Sequence, residues 1–305
     1  MSEDEALLDL LRELGARNYA FLTVTPATHG RLLARQLNRP PTLRDIFGWN
    51  RSFEPAQVEP QLLRILERAS AVQELDGKLR SKVRVATLGE SLFLHSSYPT
   101  ERGDSVFFGP DTYRFTRFVQ EKLLSLPRPE WAIDMGAGTG AGGIGIARAV
   151  PGSKITLVDI NPAALRFAAV NAAYAGVGIE AVKSHSIPPG ADLIIANPPY
   201  MMDACRRAYR NGGGLLGGAV ALDWVRQSLS NLAPNGTMLL YTGAAYVNGE
   251  APLIEALRRI CSEVGAALSI EELDPDVFGE ELESEEYADV ERIAAVGAVI
   301  TVAHR

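Results

Sequence analysis

From Trp131 onward, short apolar runs of strand length alternate with helix-length segments, and this alternation constrains the fold more than any other feature. Apolar runs at 131–135, 155–158, 179–182, 193–196, 237–241, 267–270 and 296–302 predict seven strands. Helices are expected at 141–150, 162–174, 218–232 and 251–264. Pro151-Gly152 closes the first of these, and Asn161 with Pro162 supplies an N-cap and first turn for the second. Strands separated by helices of this size give a mostly parallel, doubly wound α/β sheet with both faces covered. No internal repeat is visible.

The first hundred residues read differently. Leu7, Leu8, Leu11 and Leu14 share one helical face, and two further helices are expected at 26–37 and 58–71. A β-hairpin follows, with strands at 71–75 and 79–87 around Asp76-Gly77, and another strand at 91–96. The expected organisation is a winged-helix-like α+β accessory module over 1–100 and a catalytic α/β domain over 101–305, joined by a Gly- and Pro-punctuated linker at 98–111. Lys78, Arg80, Lys82 and Arg84 would share one strand face, either solvated or contacting phosphate. Residues 271–291 carry eleven carboxylates and no Lys or Arg, which reads as an acidic solvated segment.

Bulk properties narrow the function classes. The chain has 305 residues, 47% hydrophobic and 22% charged, enough to bury a substantial core. No apolar run reaches the roughly 18 residues of a membrane span. The N-terminus, Met1 to Glu5, is acidic and has no features of a signal peptide. Cys205 and Cys261 have no metal-like spacing, and no metal site is expected. A reduced, cytoplasmic protein follows from these readings. The net charge of −7 weighs against tight non-specific nucleic-acid binding.

Three motifs carry chemistry. The first predicted strand runs into Asp134-Met135-Gly136-Ala137-Gly138-Thr139-Gly140, where glycines let the backbone turn tightly and approach a ligand. The second ends in Asp159-Ile160-Asn161, with an acid about 20 residues past the turn, placed to take a ribose hydroxyl pair. These two motifs fit a dinucleotide as well as another nucleoside cofactor. The fourth ends in Asn197-Pro198-Pro199-Tyr200. Proline cannot donate to a ladder, so the strand stops there and presents a carboxamide, free carbonyls and an aromatic ring at its carboxyl end. Ligands of open α/β sheets bind at that end.

In order and spacing, these motifs resemble the class I S-adenosylmethionine-dependent methyltransferases. The likeness is to the branch with an Asn-Pro-Pro-Tyr motif that includes the HemK/PrmC-type N5-glutamine and small-domain rRNA methyltransferases. It covers about residues 105–245, and Asn171-Ala172 also matches the pattern. The resemblance implies a Rossmann-like sheet and S-adenosyl-L-methionine as cofactor. Gly136, Ala137, Gly138 and Gly140 would line its methionine and ribose portions, and Asp134 would help hold its amino-acid end. Asp159 would accept from the ribose hydroxyls, with Ile160 against the adenine and Asn161 beside it. His185 stands where the family often has an acid near the adenine amino group. Phe108 and Tyr113 would help close the site.

The resemblance also assigns Asn197, Pro198, Pro199 and Tyr200 to catalysis. Asn197 and the Pro198 carbonyl would accept from a planar amino group, and Tyr200 would stack on the flat substrate. The expected reaction is N-methylation of a planar amide or exocyclic amino nitrogen. The preferred substrate is a release-factor-like protein with a target glutamine; the alternatives are a base amino group in rRNA or tRNA, or a small planar metabolite. The 209–214 glycine run could be a mobile substrate loop or simply flexible. Residues 274–279 and the scattered His29, His95 and His304 receive no role.

Overall fold

The computed structural model describes residues 2–36, 38–100, 102–203, 207 and 209–302. Leu37, Cys205 and His304 therefore lie outside the described residues. The chain opens with α1 (Glu3–Ala16), α2 (Pro26–Leu33) and α3 (Pro60–Arg68), with a π-helical turn at Arg44–Gly48 between the last two. Ser2 caps α1 in a reciprocal capping box with Glu5, which satisfies two otherwise orphaned backbone N–H groups. Leu7, Leu10, Leu11 and Leu14 face inward. They join Phe21, Phe47, Leu62, Leu66, Val85 and Leu94 in a separate hydrophobic cluster.

Four strands follow: β1 (Val72–Leu75), β2 (Lys78–Ser81), β3 (Val83–Leu88) and β4 (Ser91–Ser96). Asp76 and Gly77 both have positive φ, as a two-residue hairpin turn between β1 and β2 requires. The single strand expected at 79–87 is in fact two. The Lys82 backbone N–H donates to Ala71 O (2.8 Å), the last pairing in the β1–β2 register, and Ser81 Oγ turns back on the Val83 backbone. β3 then pairs with β4 instead. This break dismantles the expected stripe of cations. Arg80 donates to the Asn50 and Tyr98 carbonyls, Arg84 is buried and donates to Ser96 O (2.9 Å), and Lys78 sits near Glu54.

The presumed linker is packed chain. Tyr98 stacks on His29 with ring centroids 4.1 Å apart, and Val106 and Phe108 are buried. It leads into α4 (Pro110–Leu123). Then come β5 (Trp131–Met135), α5 (Ala141–Ala149), β6 (Lys154–Asp159), α6 (Pro162–Ala175), β7 (Glu180–Lys183) and β8 (Ala191–Ala196). The chain finishes with α7 (Ala219–Asn231), β9 (Leu232–Tyr246), α8 (Pro252–Val264), β10 (Ala267–Asp274) and β11 (Arg292–Thr301).

These strands form one seven-stranded sheet of order β10-β11-β9-β8-β5-β6-β7, parallel except at β11. The predicted sheet is therefore observed. β9 and β10 run longer than their apolar centres suggested, because β11 pairs with both along almost its full length. β5 and β8 are apolar on both faces because helices cover both sides: α7 and α8 on one, α4 and α5 on the other. Strand order reverses between β5 and its neighbours β6 and β8, which opens a crevice at their carboxyl ends.

The N-terminal cluster is joined to this sheet through α6. Asn171 Oδ1 accepts from Leu94 N (2.8 Å), and its Nδ2 donates to Leu94 O and to Thr139 O (3.0 Å). One buried carboxamide thus ties β4 to the glycine turn. Among the described residues, no helix is long and apolar enough to cross a membrane.

Candidate active site at the carboxyl ends of β5, β6 and β8

After β5, Gly136, Gly138 and Gly140 all have φ between 55° and 78°, the left-handed region that penalises a Cβ. Their surroundings differ. A Cβ at Gly136 would fall 2.4 Å from the Trp224 ring, whereas one at Gly138 would meet nothing closer than 3.9 Å. Gly138 thus borders open space. Asp159, at the end of β6, holds the turn: its Oδ2 accepts from Gly138 N (2.9 Å) and its Oδ1 from Asn161 N (2.8 Å). Asn161 Oδ1 accepts from Ala163 N and caps α6. Burial raises the Asp159 pKa above the usual carboxylate range. A carboxylate offers about four lone-pair sites, so acceptor capacity remains for a ligand.

These residues border a cavity of about 350 Å³, within the range of small-molecule sites. Of the predicted site residues, Gly136, Ala137, Gly138, Asp159, Ile160, Asn161, His185, Asn197, Pro198, Pro199 and Tyr200 line it. Four do not. Asp134 lies behind the turn, where its Oδ2 accepts from Gly143 N (2.8 Å) inside the first turn of α5. Burial pushes its pKa up to about 7. Gly140 faces Ala168, Ile144 and Leu157. Phe108 packs on His95 and edge-on to Tyr113, whose hydroxyl accepts from Thr23 N (3.0 Å). The neighbouring Phe107 lines the cavity instead and stacks on Tyr209. In an extended segment successive side chains point opposite ways, so one position separates wall from interior.

The opposite wall begins where β8 ends. Among the described residues, the Asn197 carboxamide takes no hydrogen-bond partner, and the carbonyls of Pro198 and Pro199 accept none. Tyr200 is fixed from three sides. Its hydroxyl donates to Asp111 Oδ2, its ring lies on Gly243, where a Cβ would come within 2.3 Å, and Phe278 meets it edge-on at 6.0 Å. Asp111 is buried and also accepts from Tyr241 Oη (2.8 Å). Burial pushes the Asp111 pKa up while the two hydroxyls pull it down, and Arg114 stands 3.4 Å away.

Asp111 is the principal site residue that sequence reasoning missed. Pro110-Asp111-Thr112 reads as an ordinary helix start, and only the fold brings Tyr200 and Tyr241 to it. Phe278 belongs to the segment that received no role. Within the glycine run only Gly212 is tightly packed: a Cβ there would come within 1.9 Å of Gly217 O, whereas one at Gly214 would meet nothing within 4 Å; beyond the run, a Cβ at Gly217 would come within 2.1 Å of Tyr200 O. His29 and His95 are buried in the N-terminal half, and no group of metal-ligating side chains occurs among the described residues.

Residues 115–245 match the methyltransferase small domain. Similar curated proteins agree with that. A release factor glutamine methyltransferase of Deinococcus radiodurans is 31% identical over 148 residues, covering 43% of this chain and 51% of the relative. One of Cereibacter sphaeroides is 32% identical over 184 residues, covering 50% and 64%. A ribosomal RNA small subunit methyltransferase C of Pseudomonas paraeruginosa is 28% identical over 155 residues, covering 50% and 40%. The chain spans about half the length of the first of these relatives. Among solved structures, Trm5b from Pyrococcus abyssi superimposes with a TM-score of 0.50 at 15% identity, covering 88% of this chain and 83% of that one, a likeness of fold.

The residues around this cavity fit S-adenosylmethionine. Gly138 leaves open space where a side chain would intrude, Asp159 keeps acceptors for a ribose diol, and exposed Ile160 offers an apolar face to a base.

Proposed function

We propose that this protein transfers a methyl group from S-adenosylmethionine to a planar amide nitrogen, the side chain of a glutamine in a protein substrate. The observation that carries the reading is the unpartnered Asn197 carboxamide beside the free Pro198 carbonyl, across the cavity from Asp159. The names of the similar glutamine methyltransferases support the choice of substrate. Residues 1–100 act as an accessory module and 101–305 as the catalytic domain, in a cytoplasmic setting.

An amide nitrogen is a poor nucleophile because its lone pair is delocalised. Two acceptors on its N–H groups favour a pyramidal nitrogen and stabilise the positive charge that grows as the new bond forms; the nitrogen later loses one proton. Asn197 Oδ1 and the Pro198 carbonyl would be the dipoles that meet that charge. The cofactor, when bound, supplies an already activated methyl group on its sulfonium. Gly136 to Gly138 and Asp159 would hold it, and the Tyr200 ring would border the acceptor.

The same acceptors suit an exocyclic base nitrogen, and the similarity to an rRNA methyltransferase gives that second reading its footing. The test is transfer of tritiated methyl from S-adenosylmethionine to total protein and, separately, total RNA from a bacterial lysate. Label on a protein glutamine is the expected result. Label confined to RNA overturns the glutamine reading, and no label in either fraction overturns methyl transfer to a macromolecule.

A further inference from the structure

Two oppositely charged stretches of chain adjoin residues that line the cavity, one through Pro26 and one through Phe278. On one side Pro26, the first residue of α2, lines the cavity. Residues 31–51 contain five arginines and one acid in a chain whose net charge is −7. That acid, Asp45, is occupied by Arg39 Nη1 (2.6 Å) and Thr42 N (2.8 Å). Arg51 donates to Leu32 O and Arg35 O and so stitches the following loop to the end of α2. Arg31, Arg35 and Arg44 are exposed and, among the described residues, have no ion partner. At ~1.5 Å of rise per residue, Arg31 lies about 8 Å along α2 from the cavity rim.

On the other side Phe278 lines the cavity, and the acidic segment continues from it. Four of its acids are neutralised. Glu271 pairs with Lys122, Glu272 with Arg292, Asp274 with Arg114 and Glu281 with Arg210. Glu280, Glu283 and Glu286 are exposed and without an ion partner among the described residues. They sit on 3₁₀ turns pinned to the catalytic wall, because Tyr287 is buried and its hydroxyl accepts from Met202 N (2.8 Å). The cavity therefore adjoins a cationic stretch through Pro26 and an anionic stretch through Phe278.

We infer that this mouth docks a polypeptide of reversed polarity: an acidic stretch on one side of the target residue lies against Arg31, Arg35 and Arg44, and a basic stretch on the other against Glu280, Glu283 and Glu286. The inference rests on the protein-glutamine reading above and specifies its substrate. A chain of one sign gains at one stretch and is repelled at the other, and at physiological salt such effects reach about 8 Å. This disfavours RNA, whose phosphates are uniformly negative, and a small metabolite is too short to reach both edges.

The test is fluorescence anisotropy with labelled peptides of about 20 residues, which span ~60 Å when extended, each carrying a central glutamine. Two have one acidic and one basic arm, in the two chain directions; one is acidic throughout and one basic throughout. A single-stranded RNA of similar reach is the fifth probe. One bipolar peptide should bind about tenfold tighter than any probe of one sign. Combined Arg31→Glu, Arg35→Glu and Arg44→Glu should erase that advantage, as should combined Glu280→Lys, Glu283→Lys and Glu286→Lys, with circular dichroism melts unchanged.

Equal or tighter binding of RNA or the acidic peptide overturns the inference, as does an unchanged bipolar affinity in the folded variants. These measurements need no turnover. Calorimetric binding of S-adenosylmethionine to the same proteins, expected unchanged, separates failure of the docking inference from failure of the methyl-transfer reading.

Discussion

The two walls of the cavity are built by different means. On the glycine-turn wall, contacts are close in sequence and mostly made by backbone. Asp134 reaches 9 residues to Gly143, Asp159 reaches 21 to Gly138, and Asn161 reaches back 2 to Asp159. On the Asn-Pro-Pro-Tyr wall, side chains meet across the whole domain. Tyr200 and Asp111 are 89 residues apart, Tyr241 and Asp111 130, and Met202 and Tyr287 85. The first wall is what two neighbouring parallel strands and their turns produce by themselves. The second exists only once α4, β8, β9 and the segment after β10 are all in place, so damage to it should spread further.

The largest expected effect separates binding from chemistry. Asn197→Ala should lower methyl transfer about 10²–10³-fold, the usual loss for one preorganised dipole. Cofactor affinity measured by calorimetry should stay within about twofold, and stability should hold, because the carboxamide supports no other described residue. Gly217→Ala comes next. Its Cβ would press on Tyr200 O at a φ of 92°, so a loss of about 3 kcal/mol is expected in urea unfolding, together with most of the activity.

Asp111→Ala strands two buried tyrosine hydroxyls and should cost about 2–3 kcal/mol by the same measurement. Asp111→Asn, which still accepts a hydrogen bond, should cost less and recover part of kcat.

On the turn wall the effects are smaller. Burial gives Asp134 a folded pKa of about 7, above its unfolded value. Its contribution to stability is therefore fully present below about pH 4 and is lost as pH rises through 7. Asp134→Asn should remove up to about 1 kcal/mol per pH unit of that slope between pH 5 and 7, seen in thermal melts across pH. Gly138→Ala should cost only about 1 kcal/mol of stability, since its Cβ meets no close neighbour. It should nonetheless weaken cofactor binding, because the methyl enters the cavity. If Gly138→Ala proved as damaging to stability as Gly217→Ala, the contrast between the walls would collapse.

The contrast also explains what the sequence disclosed. The seven strands, the glycine turn and the placement of Asp159 at the end of β6 follow from apolar period, turn chemistry and short-range geometry. The run expected at 79–87 differs from the structure, because nothing local to it announces that the chain leaves β1 after Lys82 and pairs with β4 from Val83 on. The resemblance points to Phe108, whereas Phe107 lines the cavity, a difference of one position in an extended segment, where one position decides which way a ring faces. Asp111 and Phe278 could not be read at all. Their roles come from partners that the sheet topology delivers, and a single sequence carries no trace of those meetings.

The Asn197 wall is proposed to present its acceptors to a planar amide nitrogen. The decisive measurement is tandem mass spectrometry of a class I release factor incubated with this protein and methyl-labelled S-adenosylmethionine. One added methyl on a glutamine side-chain nitrogen, absent with Asn197→Ala, is the expected result. Label on an oxygen or sulfur atom, or undiminished label with Asn197→Ala, would contradict it.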